Sequence, residues 1–177
     1  MERRSLSGCW ADLEAWDAML DELETLAPSA WGNRLKTFAS ADLLRGAISV
    51  VRDLLPEWKE SRPKDRRPEM AVEAAEEWLA RRTTNLVAHA RLLAKECSKA
   101  RAASLGSEHR IAEAARAVAQ VPAARSEEQA RSLALEAIVR AEEHVLYRYA
   151  VDGVYGKEAE VRRAILARLR QVLASGA

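Results

Sequence analysis

Three observations on the sequence predict an all-α fold. The 177 residues include 35 Ala, 21 Leu and 22 Arg against only 7 Gly and 5 Pro. Such side chains lose little freedom in a helix, and few breakers interrupt them. Apolar residues recur at steps of three and four along most of the chain, and no stretch shows strand alternation. Proline, glycine and small polar residues sit at the ends of those periodic runs, where caps and stops belong. The expected architecture is one domain over residues 1–177, a single-domain bundle or layered helical hairpins of about eight helices around an alanine-rich core. Residues 1–60 supply aromatic-rich N-terminal helices, and residues 61–177 an alanine-rich helical body. A chain of this length buries roughly 70% of its unfolded surface, so neither metal nor disulfide is needed for folding.

The first helix is expected over about Trp10 to Leu26, where Leu13, Trp16, Leu20 and Leu23 form one stripe and Pro28 closes the run. A short helix from Ser29 to Ala39 follows. The next spans Ala41 to Leu54, with Ser40 as N-cap, Leu44, Ala47, Ile48, Val51 and Leu55 inward, and Pro56 ending or kinking it. The stretch Lys59 to Arg67 has no apolar period and reads as an exposed connection. Pro68 then sits in a first-turn position, with Glu69 and Glu73 near the positive helix end, and this helix runs to Arg82. Thr83 or Thr84 caps the next, Asn85 to Ser104, which ends before Gly106. Ser107 starts a helix over Glu108 to Val121 that Pro122 stops. Ser126 to Gln129 reads as a capping box opening a long helix to Ala150. Asp152-Gly153 and Gly156 make a turn, and a last helix covers Lys157 to Leu173, with Val161, Ile165, Leu169 and Val172 inward. Alanine concentrates in residues 100–150, where helix axes are expected to approach closely. Five of the nine aromatics, Trp10, Trp16, Trp31, Phe38 and Trp58, lie in the first third.

Charge and cysteine usage narrow the function classes. The 28 basic and 27 acidic side chains leave a net charge of +1, without the basic excess of a dedicated nucleic-acid binder. The basic last helix, with Arg162, Arg163, Arg168 and Arg170, carries no aromatic residue for stacking. Cys9 and Cys97 make neither a CxxC nor a zinc pattern, and Cys97 falls with Leu86, Ala90 and Leu93 on a core face. Leu6-Ser7-Gly8-Cys9 has the letters of a lipoprotein cleavage box, but only Met1 to Ser5 precede it, short of the apolar stretch of ~7–15 residues such a signal needs. The longest uncharged run, Thr25 to Asn33, is nine residues, against ~20 for a membrane-spanning helix. A reduced, cytoplasmic protein with no membrane segment is expected.

No catalytic constellation emerges, so the chain is expected to be no enzyme and to need no cofactor. His89, His109 and His144 lie on different expected helices and lack the local partners of a metal site. The adjacent pairs Glu76-Glu77, Glu127-Glu128 and Glu142-Glu143 read as solvated. One surface feature is ordered. Between Trp10 and Glu24 there are six acids and no Lys or Arg. Glu14, Asp17, Asp21 and Glu24 share one stripe beside the buried one, and their mutual repulsion costs a few tenths of a kcal/mol per pair. That stripe is the expected docking surface for a basic partner.

The segment Pro63 to Trp78, PKDRRPEMAVEAAEEW, resembles a recurring stretch of the Imm-5-like immunity protein family of bacteria, in which a D-x-R-P turn opens a helix reading A-[IV]-E-A and ending in tryptophan. The matching residues are Asp65, Arg67, Pro68, Glu73 and Trp78. More loosely, the likeness extends from Ala47 to Ala150. It implies a small all-α protein that neutralises a cognate protein toxin by binding it, without chemistry. The motif residues also have a structural role: Asp65 and Arg67 set the start of the helix, Pro68 begins it, and Trp78 anchors it. The alternative reading is a helical scaffold or adaptor that self-associates or binds a protein partner.

Overall fold

The computed structural model describes residues 35, 38–104 and 106–175, with side chains through residue 172. Six α-helices occupy them: α1 (Ser40–Ser61), α2 (Arg67–Arg81), α3 (Thr84–Ala102), α4 (Glu108–Gln120), α5 (Glu127–Val151) and α6 (Glu158–Ser175). A single 3-10 turn, Val121–Ala123, joins α4 to α5, and no strand occurs among the described residues. The all-α expectation holds. The six helices correspond to the last six expected from the sequence. The first two, with Trp10, Trp16 and Trp31, lie outside the described residues, apart from Leu35, Phe38 and Ala39. Leu35 and Phe38 are buried.

Helix α4 is the centre. It packs against α1, α2, α3 and α5, and Ile111, Ala112, Ala114, Ala115, Ala117, Val118 and Ala119 are all buried. Five alanines on so short a helix leave little side-chain bulk between its axis and its neighbours, which is how four helices surround it. Bulk comes from α1, through Leu43, Leu44, Val51 and Trp58. Helix α6 closes the open side of α1 and α5 with Val161, Ile165, Leu166 and Leu169. Gly46 leaves room for Leu169 in that closure: a Cβ there would displace the Leu169 Cδ2 methyl.

Helices α1 and α5 are parallel and in register. The Ser40 amide and hydroxyl donate to the Glu127 carboxylate at 2.8 and 2.9 Å, and 17 residues further along each helix the Glu57 carboxylate meets His144. Both pairs are separated by 87 residues in sequence, so the register holds over about 25 Å at 1.5 Å per residue.

Several boundaries differ from the sequence reading. Helix α1 does not stop at Pro56 but continues to Ser61, with Pro56 inside it. A helix-interior proline costs about 3 kcal/mol. Burial of Trp58 recovers about 1.5–3 kcal/mol, and its indole N–H donates to the Asp65 carbonyl at 2.7 Å. The supposed connection Lys59 to Arg67 is therefore only residues 62–66, flanked by helix. Ser40 is not the N-cap; Ala39 holds that place, and the orphan amide of Ser40 is satisfied by Glu127 from α5. Pro68 is the second residue of α2, since Arg67 starts it. Thr83 stands at the N-cap of α3 without a side-chain bond.

The capping box at α5 forms in modified register. Ser126 Oγ accepts from the Gln129 amide at 3.1 Å, but Gln129 Oε1 accepts from Arg125 rather than from Ser126. At the other end of α5, Val154 N–H donates to Tyr149 O (2.8 Å) and Gly153 N–H to Ala150 O (3.1 Å). This paired bonding is a Schellman motif with Gly153 at φ 73°, a left-handed conformation that suits glycine. It turns the chain outward at Val154 and Tyr155 before α6 begins.

Candidate functional site

The end of α5 differs from the rest of the surface. Tyr147 is 44% exposed, Val151 67%, Val154 38% and Tyr155 78%. Tyr147 and Val151 are four residues apart on one face of α5, and the Schellman turn adds Val154 and Tyr155. A groove of about 480 Å³ lies on one side of Tyr147, lined also by Glu57, Glu60, His144 and Asp152. A second groove, of about 380 Å³, lies on the other, lined by Tyr149, Tyr155, Arg110 and Glu158. Tyr147 lines both grooves and forms the ridge between them. All three tyrosines of the chain fall within residues 147–155. That clustering is visible in the sequence, but it has no motif or helical stripe to mark it, and the exposure of the side chains is settled only by the folded surface.

Ion pairs beneath this ridge hold it in place. His144 is buried; its Nδ1 lies 3.1 Å from the Ser107 carbonyl and its Nε2 2.8 Å from Glu57 Oε2. Both ring nitrogens thus face oxygen atoms, one from the loop before α4 and one from α1. Glu57 also pairs with Arg148, one turn beyond His144. On the next face, Glu143 pairs with Arg140 at 2.8 Å and with Arg110 of α4. On the face toward α6, Glu142 and Arg162 meet at 2.6 Å with side chains 3% and 7% exposed. Burial pushes the Glu142 carboxyl above its ordinary range, opposed by the Arg162 hydrogen bond and charge. The Glu142-Glu143 pair is thus not solvated as its polarity suggested. Arg140 lies three residues away on α5 itself, but Arg110 and Arg162 come from α4 and α6, which spacing along one helix does not reveal.

The other expected site residues are dispersed. Asp65 and Arg67 form a two-pronged pair at 2.8 and 2.6 Å, and Asp65 Oδ1 also accepts from the Arg67 amide at 3.2 Å. The Arg67 hydrogen bond, chief among the causes, holds the Asp65 carboxyl below its usual range despite partial burial. Pro68 is buried behind them. Glu73 is exposed and reaches Arg66 at 3.9 Å. Trp78 is half-buried at the far end of α2, where the Arg82 guanidinium stands 4.0 Å from its ring centroid. Arg82 has φ 52°, and the stacking offsets part of the cost of a left-handed conformation in a non-glycine residue. The five motif residues therefore make a helix start and a helix end rather than one pocket. A cleft of about 560 Å³ between α1 and α2 touches the motif at Asp65. Of its cations, Arg52 and Arg66 are paired with Glu76 and Glu69.

Glu14, Asp17, Asp21 and Glu24 lie outside the described residues. His89 is exposed, and His109 faces the Gly106 carbonyl. Among the described residues no group of three or more His, Cys, Asp or Glu side chains is placed to hold a metal ion, and no helix is long and apolar enough to cross a membrane. Cys97 is buried with Ala90 and Leu93, while Leu86 is half-buried. The Cys97 thiol faces the Arg67 carbonyl at 3.4 Å, and burial pushes its pKa up to about 12. Comparison of the chain with protein-family models, with curated proteins and with solved structures returned no match.

Proposed function

We propose that this chain is a non-catalytic binding protein that acts by covering part of a protein partner, with the tyrosine ridge at the end of α5 as its contact face. One observation carries the proposal. Tyr147, Val151, Val154 and Tyr155 form a contiguous exposed patch on a helix end that is pinned from three sides. Tyrosine contributes large contact area at low entropic cost, and it is enriched in protein interfaces. The resemblance of residues 47–150 to bacterial immunity proteins favours a cognate toxin as that partner, neutralised by occlusion in the cytoplasm. On this reading Asp65, Arg67, Pro68, Glu73 and Trp78 serve the fold of α2, and the acidic stripe Glu14, Asp17, Asp21 and Glu24 is a further contact for a basic partner.

The test is co-expression with the product of the neighbouring reading frame. The wild-type chain should restore growth against a toxic neighbour. The double variant Tyr147→Ala/Tyr155→Ala, with an unchanged helical spectrum, should fail to do so. Full protection by that variant would overturn the assignment of the ridge. The scaffold reading predicts instead a concentration-dependent oligomer in sedimentation that the same double variant abolishes.

A further inference from the structure

We infer that the surface accepted by the tyrosine ridge is basic, an apolar side chain flanked by lysine or arginine, an inference that rests on the binding reading above. The two grooves beside Tyr147 are lined by charges of both signs, but the signs are not equally satisfied. The cations there each have a carboxylate: Arg148 has Glu57, Lys157 has Glu160, and Arg110 has Glu143, which it shares with Arg140. Glu108 is held by Arg62 at 3.2 Å. Glu60, Asp152 and Glu158 are exposed and have no ion-pair partner among the described residues. Glu60 and Asp152 line the groove on one side of Tyr147, and Glu158 lines the groove on the other. Carboxylates without an ion pair thus stand on both sides of the ridge, and the groove of Glu60 and Asp152 is the more acidic of the two.

The bracketing decides between partner types. An apolar or acidic face laid over the ridge would strip water from three carboxylates and return nothing, and an unpaired charge removed from water is costly. A basic face returns charge-assisted hydrogen bonds, strongest when arginine engages a carboxylate through two N–H groups. A guanidinium also stacks favourably over a tyrosine ring. Long-range attraction accelerates encounter, so the acids act on the rate of association and on the choice of partner. The groove beside Tyr147 that Leu146, Tyr149, Val154 and Tyr155 line supplies the seat for one aliphatic or aromatic side chain between those cations.

Two synthetic helical peptides of identical apolar sequence test the inference, one with lysine and one with glutamate at the intervening positions. Each is titrated into the isotopically labelled full chain, and amide shifts and Kd are read by NMR. The lysine peptide should shift Tyr147, Val151, Val154 and Tyr155 and bind at least about tenfold more tightly than the glutamate peptide at low salt. The triple variant Glu60→Gln/Asp152→Asn/Glu158→Gln should erase that difference, and Tyr147→Ser/Tyr155→Ser should abolish both titrations. Equal binding of the two peptides at the ridge would overturn the charge inference and leave the ridge as a contact face. Shifts confined to other parts of the chain, or none from either peptide, would overturn the ridge as well.

Discussion

Replacing Arg162 by methionine probes the interior of the α5–α6 corner. The substitution keeps a long apolar stem and removes the guanidinium. Glu142, whose side chain is 3% exposed and 2.6 Å from Arg162, is then a buried carboxylate without that cation. Removing one partner of a buried pair costs about 3–5 kcal/mol at neutral pH, a large part of the roughly 5–15 kcal/mol that stabilises a domain. The loss depends on pH, and its sign follows from the Glu142 shift. Burial already raises this carboxyl in the folded state, and loss of Arg162 raises it further. The folded state then binds more protons than the unfolded state, so stability falls as pH rises through the window between the unfolded and folded values. Below that window Glu142 is neutral in both states and most of the deficit disappears. Urea unfolding followed by tryptophan fluorescence at pH 5 and pH 7 reads the effect. With a slope of about 1–3 kcal/mol per molar urea, Arg162→Met should unfold at least about 1 M earlier at pH 7, with a smaller deficit at pH 5. Adding Glu142→Leu should bring stability back to within about 1 kcal/mol of wild type, or above it, because apolar replacement of a buried pair is often neutral or stabilising. A loss below about 1 kcal/mol at pH 7, an equal loss at both pH values, or a double variant no better than the single would refute this account.

Two further outcomes follow from the packing. Gly46→Ala forces Leu169 to move, since the added Cβ would lie 2.3 Å from its Cδ2; overpacking of about 1–3 kcal/mol outweighs the gain of about 1 kcal/mol in helix propensity, and the melting temperature should fall. In a Cys9→Ser background, Cys97 should resist a thiol-specific reagent at pH 8 until urea unfolds the chain. Because its folded pKa is raised from 9.0 to about 12, the same protein should lose stability as pH rises above 9, by up to about 1.4 kcal/mol per pH unit. Rapid labelling of the native thiol would contradict its burial.

What was legible in the sequence is what depends on neighbours along the chain. Helical period, the alanine-rich centre, the Ser126 cap and the Gly153 turn are local, and each appears where the spacing put it. What was not legible depends on residues far apart. Pro56 failed to end α1 because Trp58 is held from beyond the helix by the Asp65 carbonyl. Ser40 is not a cap because a carboxylate 87 residues away took up its amide. Glu142 left the solvated class only because Arg162 folds back from α6. The tyrosine cluster was visible as a string, but exposure is a property of the finished surface.

The two kinds of polar group at the end of α5 have different work. Glu142, Glu143 and His144 face α6, α4 and α1 in turn, and Tyr147, three residues on, faces solvent. The first three are tied by ion pairs or hydrogen bonds to three different helices, and Tyr147, with Val151 and Tyr155, is left outside. A side chain projecting from so constrained a segment loses little further freedom on binding, and preorganisation of this kind raises affinity by lowering the ordering cost. The converse holds for stability. Tyr155 is 78% exposed, and surface substitutions away from caps and networks change stability by no more than about 0.5 kcal/mol. Changes under the ridge should therefore register in unfolding, and changes on it in association. That separation is what a contact face built on a rigid helix end requires, and a ridge serving only as incidental cover for the core would lack it.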